Sequence, residues 1–511
     1  MALLGTIIKS GIGLRHTIQI KWRSPERQQR RVLKKLLSKA QFTLFGNAYR
    51  FSEMIQSRNF INKFRATVPV HDYNSIFSNW WNKCLHDEED VCWPGKVKYF
   101  ALSSGTSDAS SKHIPVTRDM VRAIQNASIR QIINLANFQI KKEIFEKGIL
   151  MLGGSTHLNQ HGRYFEGDLS GITAKQIPFW FQHFYKPGKK IARKKDWNEK
   201  LEEITEKAKS WDIGIIVGVP AWVQLLMEKV ISHYGAKNIH EVWPNLSIYV
   251  HGGVYFEPYR KGFEQLLGKP LSYIETYLAS EGFIAFQDSP DSKMRLILNN
   301  GIFFEFIPFN KENFGPEGEL IHKPKTLLIN EVEENQDYAL LLSTCAGAWR
   351  YLIGDTIKFT DKEKCEIKIT GRTKHFLSLC GEHLSVDNMN RAIEMVSDEM
   401  DISINEFVVS GINYRSLFAH KWYIGTDDAV DAESLKNRLD ENLKILNDDY
   451  RVERGSALKE VFVEVVPENL FYKWMEKQGK VGAQNKFPRV MKQEKFKEWE
   501  RFIAEEMKVA G

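Results

Sequence analysis

The chain has 511 residues, of which 43% are hydrophobic and 26% charged, a composition that excludes a disordered or fibrous protein and predicts two or three globular domains. Its 71 basic and 64 acidic residues are spread along the chain, so the net charge of +7 does not indicate a nucleic-acid-binding protein. Five cysteines without a Cys-x-x-Cys pair indicate neither a disulfide framework nor a zinc knuckle. They favour a reducing, cytoplasmic compartment.

Neither of the two most apolar stretches is typical of a membrane or export signal. Residues 1–16 lack the basic leader and the cleavage site of a secretory peptide. The longest uncharged run, residues 213–227, contains Pro220 and is shorter than the ~20 residues that span a bilayer. We therefore expect no transmembrane helix and no export.

The first predicted element is an amphipathic helix within residues 26–45. It places apolar side chains at helical spacing opposite a basic face, namely Val32, Leu33, Leu36, Leu37 and Ala40. The basic face could contact a membrane surface, but the ordinary amphipathicity favours packing against the rest of the domain.

The middle of the chain has the alternation of elements that is typical of α/β proteins. A helix is predicted near residues 117–146, and the apolar run 148–152 follows as a strand. A buried strand from residue 213 leads to Pro220, which is suited to begin a helix that we expect to end near Tyr234. Further strands are predicted at 246–253 and within 271–287.

Beyond Arg372 the pattern changes to two strands, a helix near residues 434–448 and a third strand. This order predicts a small α+β domain. We place the domain boundary there, with a large domain of residues 1–372 and a small domain of residues 373–511.

A hydroxyl-rich segment, FALSSGTSDASSKHIPVT (residues 100–117), follows an apolar run and contains seven serines and threonines. Backbone N–H groups and hydroxyls around Gly105 can donate to a polyphosphate, with Lys112 as counter-charge. The segment lacks the second glycine of the Walker motif, which disfavours a P-loop NTPase. Taken alone, it is equally compatible with a solvated turn.

Three other polar stretches follow predicted strands: HGGVYFE (251–257), TYLASEG (276–282) and WRYLIGD (349–355). An acidic residue after a strand is commonly only a turn or helix cap. Together, however, the stretches provide an aromatic face, a carboxylate for ribose and a carboxylate for Mg²⁺. Their combination favours an ATP site.

Other catalytic sites are less well supported. The chain has no G-x-S-x-G nucleophile motif, and HLNQH (residues 157–161) lacks the glutamate of a zinc protease. We interpret His157 and His161 as surface or acid-pocket residues rather than metal ligands. Residues 177–185 and Trp222 could line an acyl pocket or belong to the core.

Several long motifs in a fixed order resemble the Gretchen Hagen acyl acid-amido synthetases, within the adenylate-forming superfamily that includes acyl-CoA ligases. The similarity extends over nearly the whole chain. It is carried by FGNAYRF (45–51), VPVHDY (68–73), residues 93–117, GVPAWV (218–223), YLASE (277–281), WRYLIGDT (349–356), GRTKHFLSLCGEHLS (371–385) and NKFPR (485–489). YLIGD and GRTKHF are more similar to bacterial members, and Leu352 and Ala109 stand where plant members carry arginine and glycine.

The resemblance implies a set of nucleotide-binding residues. For the ATP phosphates these are Ser103, Ser104, Gly105, Thr106, Ser107 and Lys112, and the strand ends add Gly252, Gly253 and Thr276. Tyr277 would lie near adenine, Ser280 near the α-phosphate and Glu281 toward Mg²⁺. Asp355 would bind ribose, with Arg372 approaching it from the hinge at residues 372–374. Lys486 matches the mobile catalytic lysine of the C-terminal domain.

The resemblance also implies the fold and the reaction. We expect a large N-terminal domain of mixed β-sheets flanked by helices, with a barrel-like subdomain, and a smaller α+β C-terminal domain. The expected activity is ATP- and Mg²⁺-dependent activation of a carboxylic acid as an acyl adenylate, followed by transfer to an amine such as an amino acid. Transfer to coenzyme A and a non-catalytic nucleotide-binding role are the alternatives.

Overall fold

A computed structural model provides the fold. It describes residues 24–510 apart from residues 104–111, 139, 178–180, 254–255, 316–317, 322, 374–375, 383 and 479–486. The described residues divide into a larger compact unit, residues 24–102 and 112–373, and a smaller one, residues 376–510.

Short helices form the N-terminal part of the larger unit: Pro25–Ala40, Leu44–Ala48, Phe51–Gln56, Phe60–Thr67, Tyr73–Ile76 and Asn82–Leu85. The first begins at Ser24, whose hydroxyl accepts a hydrogen bond from the Arg27 N–H. The apolar stripe predicted for this helix is buried. The buried Gln29 amide donates to the Leu298 carbonyl and accepts from the Phe304 N–H. The prediction that this helix packs on its own domain is confirmed.

The larger unit contains fifteen strands among its described residues, which we number in chain order: β1 (Tyr99–Ser103), β2 (Lys112–Val116), β3 (Gly148–Leu152), β4 (Asn159–His161), β5 (Tyr164–Gly167), β6 (Tyr185–Lys186), β7 (Ile213–Gly218), β8 (Ile248–Gly252), β9 (Ser272–Ala279), β10 (Gly282–Gln287), β11 (Met294–Leu296), β12 (Ile302–Pro308), β13 (Asp337–Thr344), β14 (Tyr351–Asp361) and β15 (Glu366–Arg372).

These strands form two sheets. A four-stranded sheet has the order β2-β1-β5-β4, in which β1 and β5 are parallel. An eleven-stranded sheet has the order β12-β13-β14-β15-β11-β10-β9-β8-β7-β3-β6. The section β9-β8-β7-β3-β6 of this sheet is parallel, whereas the remaining pairs are antiparallel. The change of direction between β9 and β10 is the position at which the candidate site lies.

Six further helices connect the strands of the larger unit: Arg118–Asn134, Leu169–Lys175, Lys189–Ala192, Trp197–Lys207, Pro220–Tyr234 and Glu257–Gln265. The predicted helix from Pro220 to Tyr234 is confirmed, and Gly235 ends it in the left-handed conformation at φ +61°. The helix predicted for residues 117–146 is too long. It ends at Asn134, and the 3₁₀ turns Leu135–Asn137 and Lys142–Glu146 follow.

The smaller unit is built on strands β18 (Glu406–Tyr414), β19 (Leu417–Gly425) and β20 (Leu458–Val466), preceded by the short pair β16 (Phe376–Leu377) and β17 (Leu384–Ser385). Its helices are Val386–Met400, Ala432–Leu446, Asp448–Gly455, Asn469–Lys477 and Gln493–Ala510. The expected strand–strand–helix–strand order is confirmed. So is the mixed α/β class with a large sheet-rich part and a smaller C-terminal part. A barrel-like subdomain stays a prediction.

In the part of the chain that the structure describes, no helix combines the length and the apolar character needed to cross a membrane.

Candidate active site

The centre of the candidate site is Asp355, on strand β14. One of its carboxylate oxygens accepts a hydrogen bond from the hydroxyl of Tyr277, on β9. The other lies 3.1 Å from the Nε of Arg372, which is its cross-strand neighbour on β15. Three residues predicted for one nucleotide site are therefore in direct contact, although Tyr277 and Asp355 are 78 positions apart.

Glu281 lies in the two-residue turn that joins β9 to β10, because Gly282 pairs directly with Ala279. The tight turn buries Glu281, which is 7% exposed. Burial, followed by the negative charge of Asp355, raises its pKa to about 7, while Lys112 and Arg372 act in the opposite direction. A cation bound beside Glu281 would stabilise the ionised form of this carboxyl group.

The negative charge of Asp355 raises the pKa values of the two residues that contact it, Tyr277 and Arg372. Burial, and then the carboxylate of Asp355, hold the pKa of Tyr277 well above its usual range, so the hydroxyl stays a hydrogen-bond donor. Burial would lower the pKa of Arg372, but the charge of Asp355, with smaller contributions from Tyr277 and Glu281, raises it. The cluster therefore carries a permanent positive charge beside two carboxyl groups.

Lys112 lies at the start of β2, next to the cluster. Its ammonium is 5.4 Å from the ring centre of Tyr73, and the Tyr73 hydroxyl accepts a hydrogen bond of 2.9 Å from the His113 N–H. Burial, and then the charges of Glu281 and Tyr73, raise the pKa of Tyr351. Tyr73 therefore lies beside Lys112, and Tyr351 lies within electrostatic range of both Tyr73 and Glu281.

Gly252 is the last residue of β8 and Gly253 follows it, and a different local constraint favours glycine at each position. A Cβ at Gly252 would lie 2.4 Å from the carbonyl oxygen of Thr276, its cross-strand neighbour, so β8 and β9 can pair here only without a side chain. Gly253 has φ +85°, which favours glycine. The hydroxyl of Thr276 is bonded to the His251 carbonyl at 2.8 Å.

The other predicted residues are only partly within the described chain. Ser280 is half-buried in the same turn as Glu281, and Ser103 is half-buried at the end of β1. Ser104, Gly105, Thr106 and Ser107 lie outside the described residues, as does Lys486. Their predicted roles stay predictions.

An internal ion pair that the motifs did not predict positions strand β14. The guanidinium of Arg350, just before β14, makes two contacts of 3.0 Å with the Glu305 carboxylate, and both residues are buried. Arg350 also donates to the carbonyls of Arg65 and Val68. Its φ of +44° is uncommon for a side chain of this size. Strand β14 therefore begins from a fixed backbone position.

His71, in the VPVHDY motif, holds the same strand from another side. Its N–H donates to the Arg350 carbonyl and its carbonyl accepts from the Leu352 N–H, both at 2.8 Å. Its Nδ1 lies 2.8 Å from the Trp349 carbonyl. In the sequence this motif carried only the family resemblance, and no pattern in it indicated this structural role.

His157 and His161 are exposed and line a cavity whose lining does not include Tyr277, Glu281, Asp355 or Arg372. His161 contacts Glu166 at 2.7 Å. Within the described part of the chain, no group of three or more His, Cys, Asp or Glu side chains could hold a metal by itself. Of the residues proposed for an acyl pocket, Pro178, Phe179 and Trp180 fall outside the described residues, and Trp222 packs against Trp197.

Family models match most of the sequence in the expected order. The GH3 family N-terminal domain matches residues 14–201 and 155–271, the central domain 295–372 and the C-terminal domain 387–495. The chain belongs to the GH3 family. Asp355 and Arg372 lie within the match to the central domain, whereas Tyr277 and Glu281 fall between the N-terminal and central matches. The bacterial character of the motifs stays a prediction.

Curated relatives are similar over limited segments. The indole-3-acetic acid-amido synthetase GH3.2 of Arabidopsis thaliana is 25% identical over 168 residues, 31% of this chain and 30% of that protein. The jasmonoyl-L-amino acid synthetase JAR4 of Nicotiana attenuata is 30% identical over 126 residues, 24% of this chain and 21% of that protein. In these matches the chain spans less than a third of the relatives' length.

Solved structures share the fold over nearly the full length. GH3.15 acyl acid amido synthetase has a TM-score of 0.58 and 16% identity, with 97% of this chain and 96% of that chain covered. A 2-hydroxyisobutyryl-CoA ligase in complex with 2-HIB-AMP and CoA has a TM-score of 0.56 and 12% identity, with coverage of 91% and 88%. At these identities the likeness establishes the fold.

Proposed function

We propose that this GH3 protein is an ATP-dependent acyl acid-amido synthetase. It activates a carboxylic acid as an acyl adenylate and transfers the acyl group to an amine, in the first place an amino acid. The observation that carries the proposal is the contact of Asp355 with both Tyr277 and Arg372, beside the buried Glu281, in a chain of this family. Four residues expected for one nucleotide site converge at one point.

The roles follow from the chemistry of the side chains. Asp355 accepts hydrogen bonds from the ribose hydroxyls, since each carboxylate oxygen can accept more than one. Tyr277 offers its ring to adenine and keeps Asp355 oriented through its hydroxyl. Lys112 offsets the negative charge of the phosphates, and the hydroxyl-rich segment before it donates hydrogen bonds to them. Gly252, Gly253 and Thr276 shape the neighbouring strand ends, and Ser280 faces the α-phosphate.

Glu281 fits an Mg²⁺ ion that arrives with ATP. Mg²⁺ usually retains water and is bound by one or two carboxylates together with substrate phosphates. One buried carboxyl with a pKa raised to about 7, in a region without a self-sufficient cluster of described ligands, matches that mode of binding. The ion would supply Lewis-acid stabilisation of charge on the phosphates.

In the first half-reaction, a carboxylate oxygen of the acid attacks the α-phosphorus, a new O–P bond forms, and the bond to pyrophosphate breaks. Two anions approach each other, so preorganised positive charge from Lys112, Arg372 and Lys486 lowers the barrier. In the second, an amine nitrogen attacks the acyl carbon, AMP leaves, and the nitrogen loses a proton. Both steps balance without an additional oxidant or reductant.

We also propose the division into domains 1–372 and 373–511, with the catalytic Lys486 on the small domain and the hinge at Arg372. Superfamily members exchange half-reactions by rotating this domain, which the resemblance implies for this chain. All five cysteines are buried free thiols, and this supports the proposed cytoplasmic location.

Thioester formation with coenzyme A is the second candidate, because the CoA ligase fold is almost as similar as that of the amido synthetase. The test offers the enzyme ATP, Mg²⁺, a panel of acids, the amino acids and coenzyme A together. Acid-dependent pyrophosphate release with an amide in the mass spectrum supports the proposal. A thioester alone would replace it with the CoA ligase. No pyrophosphate with any acid, while ATP still binds, would indicate a non-catalytic nucleotide-binding protein.

A further inference from the structure

A cavity of about 1040 Å³ lies in the larger unit. It is lined by residues of the β4–β5 hairpin, the end of the helix Leu169–Lys175, strand β6 and the helix Lys189–Ala192 with the residues after it. This volume is at the upper end of the range of small-molecule pockets. The cavity is therefore large enough for an organic ligand rather than a single ion.

The cavity is separate from the carboxylate cluster. Strand β6, which contributes Tyr185, is four positions from β9 in the sheet order. Because neighbouring strands lie about 4.8 Å apart, β6 is roughly 19 Å from the strand that carries Tyr277. Tyr277, Glu281 and Asp355 are not among the residues that line the cavity. A ligand in this cavity would therefore not contact these three residues.

The rim of the cavity is basic. Four exposed cationic side chains contribute to it: Lys175, Lys189, Arg193 and Lys195. None of the four forms an ion pair with a carboxylate among the described residues, whereas the adjacent Lys194 is paired with Glu199 and Glu203. The rim therefore has positive charge that no nearby described acid neutralises.

One carboxylate, Glu166, is found among the described residues of the lining, and it already has two partners. His161 contacts its Oε1 at 2.7 Å, and His113 contacts its Oε2 at 3.0 Å. Partial desolvation, and then the charges of Lys195, Arg193 and Lys175, lower the pKa of His157, which lines the same cavity. Cations therefore outnumber the one described carboxylate of the lining.

Part of the lining is apolar. Leu158, Tyr185 and Ala192 are buried and line the cavity, and the ring of Phe165 lies 5.1 Å from the Lys175 ammonium. Apolar and cationic side chains in one cavity match a molecule that has both a ring or chain and negative charge. A bare inorganic anion would leave the apolar residues without a contact.

We propose that this cavity binds a small organic polyanion, a molecule with at least two negative charges beside an apolar ring or chain. Phosphate esters and polycarboxylates both have this chemistry. The site goes beyond the amide-forming activity and does not depend on it.

The test is calorimetric titration of the full chain, without ATP, with four probes at moderate salt. Phenyl phosphate and phthalate are the matched dianions with a ring, benzoate is the monoanion, and inorganic phosphate has no ring. We expect at least one dianion to bind at least tenfold more tightly than benzoate and inorganic phosphate, with an affinity that falls as salt increases. Preference for phenyl phosphate assigns a phosphate ester, and preference for phthalate assigns a polycarboxylate.

The double variant R193Q/K195Q should weaken dianion binding by about tenfold or more, since each charge-assisted contact contributes about that much. The control K34Q/K35Q removes the same charge from exposed positions of the first helix and should leave binding unchanged. Equal binding by R193Q/K195Q and the wild type, or no binding of either dianion, would overturn the proposal. Acid-dependent pyrophosphate release should persist in R193Q/K195Q, so the two proposals fail separately.

Discussion

Arg372 and Asp355 face each other across adjacent antiparallel strands, with Nε of Arg372 3.1 Å from Oδ1 of Asp355. Tyr277 donates to the second oxygen of the same carboxylate. Each oxygen retains a lone pair for a further donor, so ribose hydroxyls can bind without breaking either contact. The contacts instead hold the carboxylate in one orientation before a nucleotide arrives.

Replacing Asp355 should therefore impair nucleotide binding directly. For Asp355→Asn we expect ATP affinity to fall by about 10- to 100-fold, because a hydrogen bond to a charged acceptor contributes about 1.5–3 kcal/mol. Calorimetric titration with ATP measures this. Asp337→Asn is the control, since Asp337 forms a more exposed pair with Lys358 on the neighbouring β13–β14 ladder. Equal affinities for both variants would remove Asp355 from the site.

The raised pKa of Glu281 predicts how metal binding depends on pH. Mg²⁺ requires the ionised carboxylate, so protons compete below a pKa of about 7. The Mg²⁺ concentration needed for half-maximal pyrophosphate release should rise about tenfold for each pH unit below this value. Glu281→Gln should weaken Mg²⁺ binding and make the half-maximal Mg²⁺ concentration nearly independent of pH in this range. An identical profile in the Gln variant would assign the titration to another group.

The same carboxyl group should make the free protein less stable as pH rises. Its folded pKa, about 7, exceeds the ordinary value of 4.5, so the folded chain binds more protons between these values. Its contribution to stability is complete below pH 4.5 and is lost as the pH rises through 7. Melting curves without ATP should therefore show Glu281→Gln gaining stability over the wild type between pH 5 and 8. The exposed control Glu312→Gln should show no such trend.

Breaking the buried pair of Arg350 and Glu305 should destabilise the larger unit strongly. Glu305→Gln leaves the guanidinium without its counter-charge in the interior, which costs about 3–5 kcal/mol. Denaturant unfolding, followed in the larger unit, checks this. Glu53→Gln removes an exposed pair with Arg50 in the same unit and should cost less than about 1 kcal/mol. A Glu305→Gln variant as stable as that control would contradict the role we assign to the pair.

Lys486 is proposed to act only when charge develops on the α-phosphate. Lys486→Ala should slow adenylation by about 10² or more with little change in ATP affinity, and aminolysis of supplied acyl adenylate should be largely kept. Lys477→Ala, a nearby exposed lysine, is the control. Equal losses in both half-reactions would indicate a folding defect, and normal adenylation would exclude Lys486 from catalysis.

Local sequence patterns predicted several strands and helices of the fold correctly. Apolar runs bounded by glycine and proline marked β7 and the helix that begins at Pro220, because these residues limit the backbone locally. The helix end at Asn134 was not predicted, since the apolar pattern continues beyond it into 3₁₀ turns.

The site was predicted in part, through motif order rather than spacing. Tyr277, Glu281, Asp355 and Arg372 were named from the resemblance, and the structure brings them together. The contacts of His71 with Trp349 and of Arg350 with Arg65 join residues more than 270 positions apart. No periodicity in either segment specifies its partner, so such contacts become visible only in three dimensions.

The short turn at Ser280 and Glu281 also has a consequence for protein engineering. Gly282 pairs with Ala279, so the loop has no spare residue. An insertion of one residue would have to be absorbed by a bulge or by a slip of β10, and a slip would exchange the faces of all its side chains. Libraries built on this protein should therefore vary the identity of the turn residues and keep the loop length constant.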